Sequence, residues 1–538
     1  MNIPPINDHL EYAAQRRLVG ALLDGRCFPH PAQTVRLVET HISWVLLAGR
    51  YAYKIKKALD LGFLDFTSLH ARQFYCAEEI RLNRRLAPKI YLDVIAIGGS
   101  PDRPQFGVQP AIEYAVRMRR FATKNQLDAL LARGQLTPHH MDQLAATLAA
   151  FHGSLSPAPP DSEFGAPATI LHAAIQNFEQ LLALPLEPGD CDAVNALRRD
   201  TEHAYATREK YFALRRDQGF VRECHGDLHL GNIVLLADEP VPFDGIDFNP
   251  ALRWIDVIDE VAFLVMDLLH SRRADLACRF LNAWLEATGD YAGVAVLHFY
   301  LAYRAMVRAK VSAIRACQPG CKLRMQMQAL AACRSYLALA SACLPKPQPA
   351  LIITHGLPGS GKSTFAQAAL ERLQAIRIRS DVERKRLYGM QPLDDSSARA
   401  DIYTQDATQR TYARLHELAA ALLGAGCVVI VDAAFLRQQE RDQFRQLAQD
   451  MAVPFAIASM QASHATLSAR VVQRRSAARD ASEADLAVLQ ALQAAQQPLL
   501  PHELVHTVEF LNEAGQHGSA DYADAWNKLE KLLAAPAR

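Results

Sequence analysis

The sequence predicts two domains, the first of α+β and the second of parallel α/β structure, and three observations lead to that prediction. At 538 residues the chain is too long for one hydrophobic core. Prolines stand at 345, 347 and 349, and a residue that fixes φ and lacks an N–H interrupts regular structure there. Beyond them strands alternate with helices, as they do around a parallel sheet. The predicted parts are a first domain over 1–344, a linker over 345–350, a second domain over 351–511 and a C-terminal tail over 512–538.

The composition is that of an ordinary globular protein, with 50% hydrophobic and 21% charged residues. The net charge of +1 gives no electrostatic reason to expect nucleic acid or an anionic membrane as a partner. No stretch approaches ~18 consecutive apolar residues, and no basic region followed by an apolar core opens the chain. Ten scattered cysteines without a CxxC pair fit reduced thiols. We therefore expect a cytoplasmic protein, and nothing in the pattern indicates its oligomeric state.

A phosphate-binding loop is the clearest motif. Residues Gly356 to Ser363 read Gly-Leu-Pro-Gly-Ser-Gly-Lys-Ser and directly follow an apolar run, Leu351 to Thr354. This is the full GxxxxGK[ST] pattern between a predicted strand and a predicted helix. We expect its backbone N–H groups to surround phosphate oxygens, the Lys362 ammonium to reach the β- and γ-phosphates, and the Ser363 hydroxyl to ligate Mg²⁺. The predicted nucleotide-binding residues of this loop are Gly356, Gly359, Ser360, Gly361, Lys362, Ser363 and Thr364.

Charged side chains follow the later strands of the second domain. Asp381 is predicted at the carboxyl edge of the sheet, where it would hold or deprotonate an acceptor hydroxyl; capping of the next helix is the alternative. The apolar run Cys427 to Val431 ends in Asp432, as a strand with a magnesium-binding carboxylate does. Arg470 and Arg474 share a helix face and would form a lid over the transferred phosphoryl group; a solvated basic helix is the alternative.

This set of features resembles the small P-loop kinases, such as the polynucleotide-kinase and gluconate-kinase group, over about residues 351–500. The resemblance implies a P-loop fold with a parallel sheet. It also implies that the lid arginines and an acid near Asp381 serve ATP and the acceptor.

A second strong motif lies upstream. Residues His225 to Asn232 read His-Gly-Asp-Leu-His-Leu-Gly-Asn, and Asp227 and Asn232 have the spacing of the protein-kinase catalytic loop HRDxxxxN. In such a loop the carboxylate accepts the proton of the attacking hydroxyl, and the amide oxygen coordinates the metal on ATP. About twenty residues on, Asp247 supplies a second carboxylate on a predicted strand, Pro242 to Phe248, at the place where a protein kinase carries its metal-binding aspartate.

An ATP-binding lysine is expected on an earlier strand. Tyr51 to Lys54 fits the VAIK strand pattern, in which alternation puts the lysine and a small residue on one face. Lys56 shares that face and is a rival for the same role. The acidic partner on the next helix is Glu79 or Glu78, and we prefer Glu79. No glycine-rich GxGxxG loop precedes this strand.

The HGDLHxGN form followed by an Ile-Asp-Phe segment resembles the aminoglycoside/choline phosphotransferase family, which has a protein-kinase-like fold. The resemblance implies that Asp227 is the catalytic base, that Asn232 and Asp247 bind Mg²⁺, and that His225 is a scaffold residue. Proteins pairing such a half with a P-loop kinase-like half form a bacterial family, and this chain resembles its members along nearly its whole length. We expect His229 to pack the loop, and Asp256 and Asp259 to buttress it through hydrogen bonds or to cap a helix.

These motifs together predict an ATP-dependent phosphotransferase that acts on a hydroxyl of a small molecule, with ATP and Mg²⁺ as cofactors. Two alternatives stay open: one domain senses nucleotide and regulates the other, or the chain binds ATP without catalysis. A membrane or nucleic-acid partner is not expected. The acceptor is not identified by the sequence. The candidate catalytic residues are Asp227, His225, Asp381, Arg470 and Arg474, the nucleotide-binding pair is Lys54 and Glu79, and the metal ligands are Asn232, Asp247, Ser363 and Asp432.

Overall fold

The structure, a computed structural model, describes residues 10–62, 64–318, 321–344, 348–392, 394, 402, 404–477, 485–513 and 520–534. The chain forms two compact units. The first comprises Met1–Ser271 and Val296–Leu344, and the second comprises Arg272–Ala295 and Pro345–Arg538. Of the predicted linker, residues 345–347 lie outside the described residues, and Ala350 already begins a strand.

Both units combine strands with helices, numbered along the chain. The strands are β1 (Val35–Glu39), β2 (Ser43–Ala48), β3 (Tyr51–Lys56), β4 (Tyr91–Ser100), β5 (Arg103–Phe106), β6 (Ala111–Arg119), β7 (Val221–Glu223), β8 (Ile233–Leu236), β9 (Glu239–Pro242), β10 (Trp254–Asp256), β11 (Ala350–His355), β12 (Ile376–Arg379), β13 (Val428–Asp432), β14 (Phe455–Gln461) and β15 (Thr507–Leu511). The helices are α1 (Leu10–Ala21), α2 (Leu69–Asn83), α3 (Leu127–Ala132), α4 (Pro138–Ser154), α5 (Pro167–Leu182), α6 (Pro188–Ala206), α7 (Glu209–Asp217), α8 (Val257–His270), α9 (Ala274–Thr288), α10 (Val294–Ala316), α11 (Leu323–Cys343), α12 (Lys362–Leu373), α13 (Ser380–Leu387), α14 (Gln405–Gly424), α15 (Gln438–Asp450), α16 (His464–Ala477), α17 (Leu486–Ala495), α18 (Pro501–Leu504) and α19 (Ala520–Ala534).

A six-stranded antiparallel sheet opens the first unit, in the order β1-β2-β3-β6-β4-β5. Strand β3 is central, and its side chains alternate between the two faces. Tyr53 and Ile55 pack in one hydrophobic cluster with Leu18 of α1 and with Leu22, which directly follows that helix. The opposite face of β3 carries Lys54 and Lys56 toward α2. The predicted alternation is therefore confirmed, and it sets both lysines on the same side of the sheet.

The rest of the first unit is mainly helical and supports a loop between β7 and β8. Helix α8 is buried along Val257 to Leu268, because apolar residues cover nearly its whole circumference. Two short antiparallel pairs, β7 with β10 and β8 with β9, flank the loop. The loop, residues 225–232, is thus held between these two strand pairs and a buried helix.

The second unit is built on a five-stranded parallel sheet in the order β12-β13-β11-β14-β15. Its central strands are short apolar runs buried on both faces, as expected of strands covered by helices. The core joins Ile352 of β11, Phe365 of α12 and Ala456 of β14. Because all five strands are parallel, their carboxyl ends meet at one edge of the sheet.

The observed boundaries differ from the predicted ones at two places. Helix α9, predicted within the first domain, belongs to the second unit. Its Asn282 donates to the carbonyl of Ala375 at 2.9 Å and accepts the N–H of Arg377 at 2.7 Å, so it pairs with the edge strand β12. The predicted tail also contains α19, whose Trp526 and Leu529 complete the core of the second unit. Residues 514–519 and 535–538 of that tail lie outside the described residues.

Among the residues that the structure describes, no helix combines the length and the apolar character that crossing a membrane requires.

Candidate functional site

Two lysines and one glutamate form the centre of the site in the first unit. The Lys54 ammonium lies 2.9 Å from Glu79 Oε1, and the Lys56 ammonium lies 2.8 Å from Glu79 Oε2. Glu79 and Lys56 are fully buried, whereas the Lys54 side chain is 11% exposed. The neighbouring Glu78 pairs instead with Arg81, at 2.8 Å. Of the two candidate glutamates, Glu79 is therefore the one that contacts the lysines of β3.

Two aspartates extend this group of charges at its ends. Asp244 Oδ1 lies 2.6 Å from the Lys54 ammonium, and Asp247 pairs with the Lys56 ammonium. The order is Asp244, Lys54, Glu79, Lys56 and Asp247, which we call the alternating charge chain. Each positive group lies between two negative ones. Asp244 was not among the predicted site residues, and nothing in its local sequence distinguishes it from other turn aspartates.

The segment that carries both aspartates is irregular, which corrects the predicted strand over Pro242 to Phe248. Strand β9 ends at Pro242, and residues 243–247 have no regular structure. Asp244 has φ +62°, a left-handed conformation that a strand cannot contain. Its N–H donates to the Tyr91 hydroxyl at 3.0 Å, and the Gly245 N–H donates to Asn83 Oδ1 at 2.7 Å. Side chains from α2 and β4 thus determine the path of this segment.

Burial and the neighbouring charges act in opposite directions on these carboxyl groups. Burial alone would raise the pKa of Glu79, but Lys54 and Lys56 lower it to about 2. Burial raises the pKa of Asp247 above its ordinary value, although Lys56 opposes this rise. The two lysines therefore hold Glu79 ionised in a site that excludes water.

The loop over residues 225–232 holds the predicted catalytic base. Asn232 Nδ2 donates to Asp227 Oδ2 at 2.9 Å, and His229 Nε2 lies 3.5 Å from the same oxygen. The Asp227 side chain is 36% exposed, so the carboxylate is accessible. Burial would raise its pKa, yet the charge of His229 and its hydrogen bond lower it below the ordinary value. His229, expected to pack the loop, is in contact with the predicted base.

His225 joins this loop to the segment of Asp247. The Asp227 N–H donates to His225 Nδ1 at 3.3 Å, and His225 Nε2 then donates to the Phe243 carbonyl at 2.9 Å. The Ile246 N–H donates to the His225 carbonyl at 2.9 Å. Burial lowers the pKa of His225, so the ring is neutral, as these two bonds require. This geometry corresponds to a scaffold residue.

Buried acids of α8 hold the loop from behind. Glu260 Oε1 accepts hydrogen bonds from the backbone N–H groups of His225, at 2.5 Å, and Gly226, at 2.8 Å. Its Oε2 accepts a hydrogen bond from His152 Nε2 at 2.7 Å.

The two aspartates predicted to buttress the loop each pair with a buried arginine. Asp259 pairs with Arg304, which also donates to the Gly226 carbonyl. The other, Asp256, pairs with Arg215 at 2.7 Å and caps α8, accepting the Ile258 N–H at 3.0 Å. Sequence reasoning did not identify Glu260, although it directly follows Asp259.

The cluster of His152, Cys224 and Glu260 has the residue types of a metal site, with the three ligand atoms within 4.8 Å of one another. Both carboxylate oxygens of Glu260 already accept hydrogen bonds from His152 and from the loop backbone. The geometry therefore corresponds to a structural support.

In the second unit the phosphate loop connects β11 to α12. Gly356, Gly359 and Gly361 have φ values of +142°, +82° and +97°, conformations that side chains rarely adopt. Lys362 begins α12, and its ammonium donates to the carbonyls of Gly356 and Leu357, both at 2.9 Å. The backbone thus has the left-handed turns that aim N–H groups at a phosphate.

Two predicted carboxylates lie at the same edge of the sheet as this loop. Asp432 ends β13, and its Oδ2 is buried without a hydrogen-bond partner within the described part of the chain; Arg379 Nε lies 3.9 Å from this oxygen. Asp381 lies in the first turn of α13, whose N-cap is Arg379. The alternative in which Asp381 caps that helix is therefore wrong.

The predicted lid arginines lie on α16. Arg470 donates to the Gly359 carbonyl of the phosphate loop at 3.3 Å. Arg474 lies one turn further along the same helix, and its side chain is outside what the structure describes. One of the two arginines therefore contacts the loop.

Asn512, assigned to the tail by sequence reasoning, belongs to this site. Its Nδ2 donates to the Ser360 carbonyl at 2.7 Å, and a Cβ at Gly361 would lie 1.7 Å from the same nitrogen. A lone asparagine after a strand carries no pattern that would have identified it.

These folds and sites define a class of protein. The chain has a protein-kinase-like unit, with a lysine–glutamate pair and an Asp/Asn loop, and a P-loop unit on a parallel sheet. The predicted fold class is confirmed. The family model described as "AAA domain" matches residues 351–499.

Curated relatives match almost the whole chain. Uncharacterized protein Rv2004c of Mycobacterium tuberculosis (strain ATCC 25618 / H37Rv) is 31% identical over 479 residues, which are 88% of this chain and 93% of the relative. Uncharacterized protein Mb2027c of Mycobacterium bovis (strain ATCC BAA-935 / AF2122/97) matches with the same values. The chain belongs to the family of these mycobacterial proteins.

Solved structures align with each part. A choline/ethanolamine kinase family protein from Mesorhizobium loti is 14% identical, with 62% of this chain and 99% of that chain covered and a TM-score of 0.37. A gluconokinase from Sinorhizobium meliloti 1021 is 21% identical, with 35% and 95% covered and a TM-score of 0.25.

Proposed function

We propose that the chain is an ATP-dependent phosphotransferase whose first unit transfers the γ-phosphoryl group to a hydroxyl of a small molecule. One observation carries this proposal. The accessible Asp227 carboxylate has a lowered pKa and accepts a hydrogen bond from Asn232, on a loop that His225 joins to the segment of Asp247. An ionised carboxylate in that setting can accept the proton of an attacking hydroxyl.

The donor set of the first unit fits Mg²⁺ and ATP. Asn232 and Asp247 offer the amide and carboxylate oxygens that Mg²⁺ prefers, and their segments are joined by a bond from the Phe243 N–H to the Asn232 carbonyl at 2.9 Å. Of the two lysines of β3, Lys54 is the partly exposed one, and it would bind the phosphates of ATP. Its ion pair with Glu79 would hold the ammonium in position. When bound, the cation would offset negative charge on the phosphates. Lys56, being fully buried, would hold Asp247 in place.

The second unit fits a second ATP site. Lys362 and Ser363 supply the ammonium and hydroxyl that phosphates and Mg²⁺ require at a P-loop. Asp432 Oδ2 has no hydrogen-bond partner among the described residues, and a cation would satisfy it. Arg470 and Arg474 would neutralise negative charge on the transferred phosphoryl group. Asp381 would hold or deprotonate the hydroxyl of the acceptor. We propose phosphotransfer here too, on a separate acceptor.

The experiment compares Asp227→Asn and Lys362→Ala in the full chain, with a panel of sugars, nucleosides and small antibiotics and with ATP consumption and product masses as readouts. Asp238→Asn, an exposed aspartate on the β8–β9 turn, is the matched control. If each variant loses a different product, both units are phosphotransferases. If Lys362→Ala only changes the rate of the Asp227-dependent product, the second unit regulates the first. An unchanged product profile in Asp227→Asn would contradict the proposal.

A further inference from the structure

Asp244 is the exposed end of the alternating charge chain. Its carboxylate is 46% exposed and lies 2.6 Å from the Lys54 ammonium. Glu79 and Lys56 are fully buried, and the Asp247 side chain is 5% exposed. A ligand that binds the exposed part of Lys54 therefore lies close to the Asp244 carboxylate.

The backbone holds Asp244 in this place. A left-handed φ is uncommon for a residue other than glycine, although aspartate and asparagine adopt it more readily than most. The bonds from the Asp244 N–H to Tyr91 and from the Gly245 N–H to Asn83 maintain that conformation. Because both acceptor side chains are buried, the carboxylate is presented to Lys54 by a fixed support.

We infer that Asp244 makes the first unit select the metal complex of a nucleoside triphosphate over the free nucleotide. This inference rests on the proposed function, in which Lys54 binds the phosphates. A free triphosphate would have to approach Lys54 beside a carboxylate of like charge, and it would compete with that carboxylate for the ammonium. A divalent cation bound to the phosphates cancels much of this repulsion. Asp244 would thus penalise free ATP far more than Mg²⁺–ATP.

The test uses the full chain with Lys362→Ala, which removes the lysine of the second ATP site. Calorimetry measures ATP affinity in EDTA and in excess Mg²⁺, for the parent and for Asp244→Asn and Asp244→Gly. Both replacements tolerate the left-handed backbone, so at least one should retain the parent's thermal midpoint. We expect the Kd for free ATP to fall by about tenfold, since one like-charge contact at this range is worth about that factor. The Kd for Mg²⁺–ATP should change by less than about threefold.

Asp238→Asn is the matched control, because Asp238 is also an aspartate with positive φ (+66°) in the same unit, and its side chain is 75% exposed. It should leave both affinities unchanged. Weaker binding of both forms in the Asp244 variants would make Asp244 a group that binds the metal or positions the nucleotide, and would overturn the inference. Unchanged affinities would also overturn it. If Lys54→Met has no effect on ATP affinity in the same chain, the proposed function of the first unit fails instead.

Discussion

Asn512 Nδ2 donates a hydrogen bond to the carbonyl oxygen of Ser360 at 2.7 Å, which joins the end of strand β15 to the phosphate loop 152 residues earlier in the chain. The same nitrogen occupies the space where a Cβ of Gly361 would lie. Gly361 is also left-handed, with φ +97°. A side chain at position 361 would therefore collide with Asn512, whose hydrogen bond to Ser360 holds the loop at the start of α12.

Asn512→Ala should weaken ATP binding to the second unit by about fivefold, because a buried hydrogen bond contributes about 1 kcal/mol net. Gly361→Ala should weaken it more, since its Cβ would collide with Asn512. Calorimetry with Mg²⁺–ATP on the Lys54→Met chain, which lacks the lysine of the first ATP site, measures both effects. Asn527→Ala, at an exposed position of α19, is the control. Equal affinities in Asn512→Ala and its control would contradict a role for Asn512 at the loop.

Glu79→Gln should destabilise the first unit by about 3–5 kcal/mol, because it leaves Lys54 and Lys56 buried with one charge fewer between them. The neighbouring Glu78→Gln breaks a pair with the half-exposed Arg81 and should cost about 1 kcal/mol or less. Urea unfolding followed by hydrogen–deuterium exchange in β3 and α2 compares the two. The reverse ranking would show that Glu78 is the structural partner.

The second unit should lose stability as the pH falls from 6.5 toward 4, in part through His355. Burial, with the charges of Arg441 and Lys362, lowers the pKa of this histidine to about 4. In that range the unfolded chain binds a proton at His355 and the folded chain does not, so acid favours unfolding. The contribution between pH 6.5 and 5.5 is about 1 kcal/mol.

His355→Gln should remove that part of the pH dependence, and the half-exposed His502→Gln should not. Urea unfolding at the two pH values, followed by hydrogen–deuterium exchange in β11 and β14, measures the difference. Identical slopes with pH in the wild type and in His355→Gln would refute a neutral buried His355.

Trp526→Ala should destabilise the second unit by about 3–5 kcal/mol, because its ring fills the core between Phe365 and Phe510, with centroids at 5.2 and 5.4 Å. Phe365 lies on α12, directly after the phosphate loop, so ATP binding should weaken as well. Trp526→Phe should recover most of the loss, and Lys528→Ala, on the exposed face of α19, should have little effect. Thermal unfolding with and without Mg²⁺–ATP tests this. Full stability in Trp526→Ala would mean that α19 is dispensable.

The local sequence was sufficient to predict the two loops and the alternation along β3, because each depends on a short run of residues. The phosphate loop and the Asp/Asn loop are each eight residues long, and the turns they need are specified by glycines within them. Alternation along β3 likewise follows from strand geometry alone. The predicted strand over Pro242 to Phe248 was wrong because side chains from α2 and β4 hold Asp244 in a left-handed conformation.

The sequence by itself determined the two kinds of loop, the two domains and the candidate lysines. Tertiary structure alone decided which glutamate contacts those lysines, that Asp244 and Asn512 belong to the sites, and that α9 joins the second unit. These relationships join residues far apart in the chain: 190 positions separate Lys54 from Asp244, and 93 separate Asn282 from Ala375. A local pattern cannot encode such pairs, because they depend on which faces of separate helices and strands are buried together.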